Sequence, residues 1–402
     1  MKTAIALLST ALFMASTAGA ASGIKPAPPP PPYAGVYQPQ GVDELGLWRE
    51  SDEDERILAD SPVVIRDEAL TAFVKSVLCR VVGDDRCRTV RVYILREPSF
   101  NATMMANGTM RVFSGLLLRA RSEAELGAVL GHEFGHFEKR HTLQIFKGAR
   151  SGTDLISWAA LLASASHDPD AHRSFRQLRH NVYGRIYRFG RNTEREADMV
   201  GIGYLNASTL PPQAASRMWR NLIGEREASA LMRGLKKPRF DAIAFFASHP
   251  PEAERATYLS ALALPEGEAR DEGAARYGQA LARWLPIFLD DQIKLNDFGA
   301  SEYLINKLAE HGWTASLWHA RGELFRARGA PRDLVHAAEF YGKAIALEPE
   351  MAAAHRGLGL SMIKTGRENE GRAALQRYLG LNPDAADAAM IGMTIASAGG
   401  RQ

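Results

Sequence analysis

Residues 122–141 read SEAELGAVLGHEFGHFEKRH, and this stretch decides the fold around it. Ser122 followed by Glu125 forms a capping box, which predicts that a helix begins at Ser122. Apolar residues recur at helical spacing along the stretch, so the predicted helix has a buried side. Glycine recurs at every fourth position, at Gly127, Gly131 and Gly135. Each glycine costs about 1 kcal/mol relative to alanine inside a helix, and the close approach of another backbone would explain that cost.

Two histidines of this helix form a predicted metal-binding pair. His132 and His136 are four residues apart, which places them about 40° apart around a helix and one turn apart along it. Both imidazoles can therefore reach one metal ion. Glu133 lies beside the first histidine, where it can take a proton from an attacking water. Chance produces H-E-x-x-H in about one or two of a hundred such chains, so two ordinary half-buried histidines remain an alternative on this motif alone.

A catalytic zinc site needs a third protein ligand and an open position. Glu194 and Asp198 are four residues apart on a second helix predicted between Gly190 and Gly201, so they face the same way. We expect Glu194 to bind the metal and Asp198 to accept the free N–H of a ligating histidine. Glu196 is two residues off that face, and we interpret it as structural.

The region before the helix predicts a mostly helical start and a small sheet. Residues 41–80 have helical character, and residues 90–95 are rich in the β-branched and aromatic residues typical of a strand. Asn107 and Gly108 stand between two further strand-like runs, 103–106 and 109–113, which is the strongest short signal for a hairpin.

The first residues predict export. A short charged start, an apolar run to Met14 and the small residues 18–20 are typical of a secretory signal peptide. An attached membrane anchor is the alternative. Pro26 and residues 28–32 predict a stiff polyproline spacer. In an oxidising compartment Cys79 and Cys87, with seven residues between them, could close a local disulfide; two independent buried thiols are the alternative.

The last hundred residues predict helical repeats. Leu-Glu-Pro ending at Pro349 and Leu-Asn-Pro ending at Pro383 lie 383 − 349 = 34 residues apart, the period of tetratricopeptide repeats. Two such units are fewer than the three usually needed, so residues 284–311 could add a degenerate unit or the array could pack on the front domain. An ordinary helical bundle is the alternative.

Composition excludes several classes of protein. The 402 residues are 46% hydrophobic and 24% charged, which is typical of a soluble globular chain of two or three domains. A net charge of +3 is too weak to indicate nucleic-acid binding. The longest apolar run after the start, residues 155–163, is too short for a transmembrane helix.

Together, three motifs in order resemble the HtpX and CAAX-prenyl endopeptidase-like family of gluzincin metallopeptidases. Residues 131–141 resemble its H-E-x-x-H-x-x-x-R-H motif, residues 194–198 its E-x-x-A-D motif, and residues 248–255 its H-P-x-x-x-x-R element. The predicted signal peptide, the lack of membrane spans and the repeats resemble its periplasmic, BepA-like branch. The resemblance covers about residue 43 to the end. The short repeat domain and the long Arg-rich segment between the two metal helices depart from the pattern.

This resemblance implies one Zn²⁺ per chain, with His132, His136 and Glu194 as ligands and Glu133 as general base. In the periplasmic branch the histidine of the His-Pro element, here His249, can approach the metal and hold the enzyme latent. His249 could instead donate to the developing oxyanion. A faster His249→Ala variant would indicate a lid and a slower one a donor, and an unchanged rate would remove both roles.

Arg255 of the same element could also serve the oxyanion, with a buried ion pair as the alternative. The resemblance further implies a role in the quality control or assembly of outer-membrane proteins. In zinc peptidases an edge strand beside the metal helix commonly pairs with extended substrate. Residues 102–106 or 109–113 are candidates for that strand, and an ordinary sheet hairpin is the alternative.

The combined prediction is a mainly helical α+β, zincin-like peptidase domain followed by an all-α tetratricopeptide-like domain. Its expected function is periplasmic hydrolysis of misfolded or misassembled envelope proteins, with a protein partner, such as outer-membrane assembly machinery, bound by the repeats. The alternative is a repeat-based chaperone in which proteolysis is secondary. The predicted order is signal peptide 1–20, Pro-rich linker 21–40, peptidase domain 41–262, connecting helices 263–314, two repeats 315–385 and C-terminal tail 386–402.

Overall fold

The computed structural model describes residues 30–35, 37–164, 190–240, 251–265 and 270–397. The predicted signal peptide, the first part of the predicted linker, His249 and the last residues of the predicted tail lie outside the described residues. In chain order the described helices are α1 (Gly41–Asp60), α2 (Glu68–Val82), α3 (Asp84–Cys87), α4 (Ser114–Arg119), α5 (Glu123–Glu138), α6 (His141–Ser164), α7 (190–207), α8 (Gln213–Met232), α9 (Glu252–Leu262), α10 (Ala274–Leu281), α11 (Leu285–Lys294), α12 (Phe298–Leu308), α13 (Ala315–Arg328), α14 (Pro331–Leu347), α15 (Ala352–Lys364), α16 (Glu368–Leu381) and α17 (Ala388–Ser397). A 3₁₀ turn, Ala309–His311, follows α12.

Helix α5 begins directly after Ser122, the N-cap residue that the sequence predicts. The Ser122 side chain accepts a hydrogen bond of 3.1 Å from the Glu125 backbone N–H. Leu126, Leu130 and Phe134 are fully buried along the helix. The chain then turns at Arg140, whose φ of 55° lies in the left-handed region, and α6 starts at the next residue.

Gly131 and Gly135 of α5 lie close to the backbone of α7, which confirms the expected approach of another backbone at these two positions. At Gly127 the neighbouring atoms belong to side chains. A Cβ on Gly135 would stand 3.1 Å from the carbonyl oxygen of Ala197 in α7. From the other side, a Cβ on Gly201 would stand 3.0 Å from the backbone nitrogen of His132. On the opposite flank, Val81 of α2 packs against Gly127. The helix pair α5 and α7 is therefore held at a separation that larger residues would not allow.

The predicted helical stretch 41–80 is divided into α1 and α2. Ser61, which precedes Pro62, has an extended backbone with ψ of 136°. A residue before proline is pushed out of the helical region by its clash with the proline ring, so α1 ends there. Asp67 then caps α2 by accepting a hydrogen bond of 3.0 Å from the Leu70 N–H.

The strands form one small sheet, with β1 at Arg91–Leu95, β2 at Ala102–Met104 and β3 at Thr109–Phe113. β2 and β3 are the predicted antiparallel hairpin, and Gly108 turns it with φ of 89°. β1 pairs with β3 in parallel, so the order is β1-β3-β2 and β2 lies at an edge, in contact with α5. The disulfide predicted between Cys79 and Cys87 is present and joins the end of α2 to α3.

The described end of the predicted linker lies against the back of α5. The Tyr33 ring packs 5.7 Å from that of Phe134, and its hydroxyl donates a 3.2 Å hydrogen bond to Glu138. Arg140 donates a 2.6 Å hydrogen bond to the carbonyl oxygen of Pro30. This part of the predicted spacer is therefore docked on the domain.

One buried core runs from Ile65 to Ala354, and a smaller cluster contains Leu375, Tyr378 and Ile391. The fold is mainly helical with a small sheet, as predicted. The C-terminal region is helical throughout its described length, while its assignment to tetratricopeptide repeats and the domain boundaries stay predictions. Within the described part of the chain, no helix combines the length and apolar character that crossing a membrane requires.

Candidate metal centre

Helices α5 and α7 bring three side-chain donors to one point. His132 Nε2 lies 3.1 Å from His136 Nε2. The two carboxylate oxygens of Glu194 lie 3.6 Å from the Nε2 of His132 and 3.4 Å from that of His136. The three side chains are only 13–15% exposed. The helical spacing predicts that His132 and His136 share one face of α5. The crossing of α7 brings the Glu194 carboxylate to that face.

These distances fit a zinc ion. Four donors at about 2.0–2.2 Å from a metal in a tetrahedron lie about 3.3–3.6 Å from one another. The observed separations between donor atoms, 3.1–3.6 Å, are close to that range. Two imidazoles and one carboxylate also form a known ligand set of catalytic zinc, with one position left for water or substrate.

The three donors open onto a cleft of about 710 Å³. Glu133 lines this cleft beside His132, as a general base must. The edge strand β2 and its neighbour Phe100 line one wall, while Met218 and Trp219 of α8 belong to another. The metal donors, the predicted base and an edge strand therefore line one cavity.

Asp198 lies behind His132 and not in the ligand set. Its Oδ1 is 2.9 Å from Nδ1 of His132, the nitrogen that faces away from the other donors, and its side chain is 3% exposed. Burial alone would raise the pKa of Asp198, but His132 and Arg255 hold that pKa well below its usual range. This is the geometry expected of a carboxylate that orients a metal ligand.

The two histidines differ in their affinity for a proton. Burial lowers the pKa of His132, yet the carboxylate of Asp198 outweighs burial and raises it to about 9. For His136, burial and the neighbouring His132 lower the pKa to about 3. Without a metal, the surrounding charges therefore favour the protonated form of His132 and the neutral form of His136.

Arg255 is buried at 4% exposure and is already paired. Its Nε and Nη2 donate hydrogen bonds of 2.8 and 2.6 Å to Asp198, and its Nη1 lies 3.5 Å from Glu194. The guanidinium also stacks 3.8 Å from the Trp219 ring centre. The contacts correspond to the buried ion pair that was the alternative for this residue. A role at the oxyanion stays a prediction, and His249 lies outside the described residues.

His141 lies beside a candidate ligand and contacts Glu196, although helical spacing predicts neither contact. His141 Nδ1 lies 3.0 Å from Nδ1 of His136, and its Nε2 lies 3.3 Å from Glu196 Oε2. Glu196 was interpreted as structural because helical spacing turns it away from Glu194. The turn at Arg140 places the start of α6 beside it. The Arg-His pair of the first motif was the available signal.

Comparison with known proteins agrees with this geometry. The sequence profile of peptidase family M48 matches residues 65–263. The mitochondrial metalloendopeptidase OMA1 of Schizosaccharomyces pombe is 28% identical over 209 residues, which are 52% of this chain and 57% of that protein. The metalloprotease YcaL of Escherichia coli is 32% identical over 170 residues, 42% of this chain and 59% of that protein.

A third relative is the putative beta-barrel assembly-enhancing protease of Vibrio cholerae, 27% identical over 176 residues, 42% of this chain and 36% of that protein. The alignments thus span less than two thirds of each relative's length. Both the profile and the relatives agree with the predicted enzyme class, a zinc metalloprotease. Residues 65–263 are thus similar to peptidase family M48, and this region carries the candidate metal centre.

Proposed function

We propose that the protein is an exported zinc endopeptidase that cleaves unfolded or misassembled envelope proteins. The observation that carries the proposal is the convergence of His132, His136 and Glu194 within 4.8 Å of one another, beside Glu133 in an open cleft. A scaffold protein has no need of this set of donors together with an adjacent base.

The chain's own residues account for the proton transfers. A bound zinc ion would supply Lewis-acid activation of water and of the scissile carbonyl. The Glu133 carboxylate takes a proton from the attacking water as the new C–O bond forms. It then delivers that proton to the amide nitrogen as the C–N bond breaks. Asp198 keeps His132 oriented through its Nδ1, at 2.9 Å.

The substrate class follows from the cleft wall. β2 is an edge strand, and its residues 102–104 line the cleft. An edge strand binds extended backbone through main-chain hydrogen bonds, which tolerate many sequences. Because folded proteins rarely offer an extended segment, unfolded or misassembled chains are the expected substrates.

The cellular role rests on the relatives and on the sequence. Relatives in Vibrio cholerae and Escherichia coli are named beta-barrel assembly-enhancing proteases. With the predicted signal peptide, this supports a periplasmic enzyme that acts on outer-membrane proteins. The predicted repeats would bind a protein partner, and His249 would hold the enzyme latent, as in the BepA-like branch that the sequence resembles.

Replacement of Glu133 by glutamine tests the proposal. We expect Glu133→Gln to lower cleavage of an unfolded reporter protein by at least about 100-fold, because the base is lost. Zinc content should stay near one ion per chain, since the three ligands are unchanged. Peptide products are measured by mass spectrometry and zinc by elemental analysis.

The matched control is Glu254→Gln, which neutralises a carboxylate that is 43% exposed and pairs with Arg195. This control should cleave at the wild-type rate. Persistent cleavage by Glu133→Gln would refute the mechanism. Zinc binding with no cleavage by the wild type, even with His249→Ala, would favour the chaperone alternative.

A further inference from the structure

The outward nitrogen of His136 has its own partner. His136 can ligate a metal only through Nε2, which faces His132 and Glu194 at 3.1 and 3.4 Å. Its Nδ1 points the other way and lies 3.0 Å from Nδ1 of His141. The two rings meet edge to face, with centroids 4.9 Å apart. His141 is completely buried.

The positions of the protons follow from this contact. A histidine that binds a metal through Nε2 carries its proton on Nδ1 and donates it outward. His141 Nδ1 must then accept, so the single proton of neutral His141 sits on its Nε2. That nitrogen lies 3.3 Å from Oε2 of Glu196, which accepts it. The hydrogen bonds form one directed series, in which His136 donates to His141 and His141 donates to Glu196.

This series of hydrogen bonds at His136 corresponds to the Asp198 contact at His132, but the two differ in burial and in the number of residues involved. Asp198 is 3% exposed and touches its histidine directly. Glu196 is 49% exposed, lies 3.7 Å from Lys139, and reaches the ligand only through His141. Each metal histidine is therefore fixed by a carboxylate, one directly and one through a buried imidazole.

We propose that His141 and Glu196 are positioning residues that hold the ring and tautomer of His136 for zinc binding. The inference rests on the metal site of the proposed function. His141 acts as the acceptor for His136, and Glu196 fixes which nitrogen of His141 is free to accept. Neither residue is among the described residues that line the cleft.

The test is the zinc dissociation constant, measured by competition with a chromophoric chelator. Glu133→Gln serves as the background, so proteolysis plays no part in the result. His141→Leu keeps an apolar volume but removes the acceptor, and we expect zinc binding to weaken about 10- to 100-fold. In His141→Asn the side-chain oxygen occupies about the place of Nδ1, so binding should return to within about threefold of the background.

Glu196 provides a second pair of variants. Glu196→Gln retains an oxygen acceptor and should bind zinc nearly as the background does. Glu196→Ala should weaken binding by about three- to tenfold, since water can replace a half-exposed acceptor in part. Glu254→Ala removes another exposed carboxylate and should leave zinc affinity unchanged.

Thermal unfolding of the zinc-free proteins separates positioning from packing. A packing role predicts that the smaller, polar His141→Asn harms both stability and zinc binding more than His141→Leu does. Positioning predicts the reverse order for zinc binding. Equal zinc affinity in His141→Leu and its background overturns the inference, as does a His141→Asn variant that binds no better than His141→Leu.

If His141→Leu does not fold, the Glu196 variants decide in the same way, and equal affinity of Glu196→Ala and Glu196→Gln overturns the inference. Failure of the background protein to bind zinc would refute the proposed function itself. Normal zinc binding in every variant would refute only the positioning role of His141 and Glu196.

Discussion

Asp198 neutralises the buried charges of the metal centre. It accepts from Nδ1 of His132, from two nitrogens of Arg255 and from the Tyr258 hydroxyl. Arg255 is 4% exposed, so its charge is stabilised chiefly by carboxylates and not by water. Burial and the nearby Asp198 charge raise the pKa of Tyr258 well above its usual range.

We therefore expect Asp198→Ala to destabilise even the zinc-free protein. Removal of Asp198 leaves the buried Arg255 with only its longer contact to Glu194, at 3.5 Å, so we expect a cost of about 3–5 kcal/mol in the free energy of unfolding. Urea unfolding of zinc-free protein measures this cost. The control Tyr258→Phe removes one hydrogen bond to the same carboxylate and should cost about 1 kcal/mol. An Asp198→Ala loss no larger than that of the control would show that the ion pair contributes little.

At the scale of residues, the sequence predicts partners that share a helix. His132 with His136, and Glu194 with Asp198, are one turn apart, and the helical period alone sets their common direction. The meeting of His141 with Glu196 depends on the turn at Arg140 and on the placement of α6 beside α7. No local period contains that information, so helical spacing indicates only a structural role for Glu196.

At the scale of elements, the centre depends on the contact of α5 with α7. The ligands lie on both helices, so their separation determines the distances between the donor atoms. Gly201 lies at the crossing, where an added Cβ would meet the His132 backbone nitrogen at 3.0 Å and its Cα at 3.1 Å. Backbone atoms cannot rotate away as a side chain can, so the helices would have to shift.

Gly201→Ala should therefore weaken zinc binding and lower the free energy of unfolding by about 1–3 kcal/mol, the usual effect of overpacking. Gly203 is the matched control, because it lies on the same helix, is exposed, and an added Cβ would meet nothing within 4 Å. Gly203→Ala should stabilise by up to about 1 kcal/mol through helix propensity. Chelator competition and urea unfolding measure both effects; equal behaviour of the two variants would contradict the role of the crossing.

Local sequence signals predicted where helices and strands form better than they predicted which of these elements pair or pack together. Asn107 and Gly108 predicted the hairpin because a short turn leaves the strands little choice but to pair. The observed turn also includes Ala106, since the Gly108 N–H donates to the carbonyl oxygen of Met105 and the Met105 N–H donates to that of Thr109. The parallel pairing of β1 with β3 joins strands whose connection runs through β2, and no turn signal encodes it. The division of residues 41–80 followed from Pro62, whose effect on Ser61 is local and could have been foreseen.

At the scale of the whole molecule, the peptidase and C-terminal helices share one core. Phe288 and Leu289 of α11 belong to the same buried cluster as Leu324 of α13 and Leu130 of α5. A polar contact also reaches α11, since Arg119 of α4 donates a hydrogen bond of 3.0 Å to Gln292. The predicted repeats therefore do not stand apart from the helices before them, which accords with the expectation that two units are too few to be stable alone.

Truncation after residue 314 should consequently destabilise the peptidase domain. It removes α13 to α17 and exposes the side of α11 that packs against α13. Each large apolar side chain that loses its cover costs about 1.5–3 kcal/mol, and several such losses approach the whole stability of a domain. We expect the shortened chain to unfold at least about 10 °C lower than the full chain, measured by near-ultraviolet circular dichroism.

Truncation after residue 381 is the control, because it removes α17 and disturbs only the small cluster around Leu375 and Tyr378. If the chain that ends at residue 314 melts together with the full chain, the shared core does not stabilise the metal centre, and the repeats act only as a binding module.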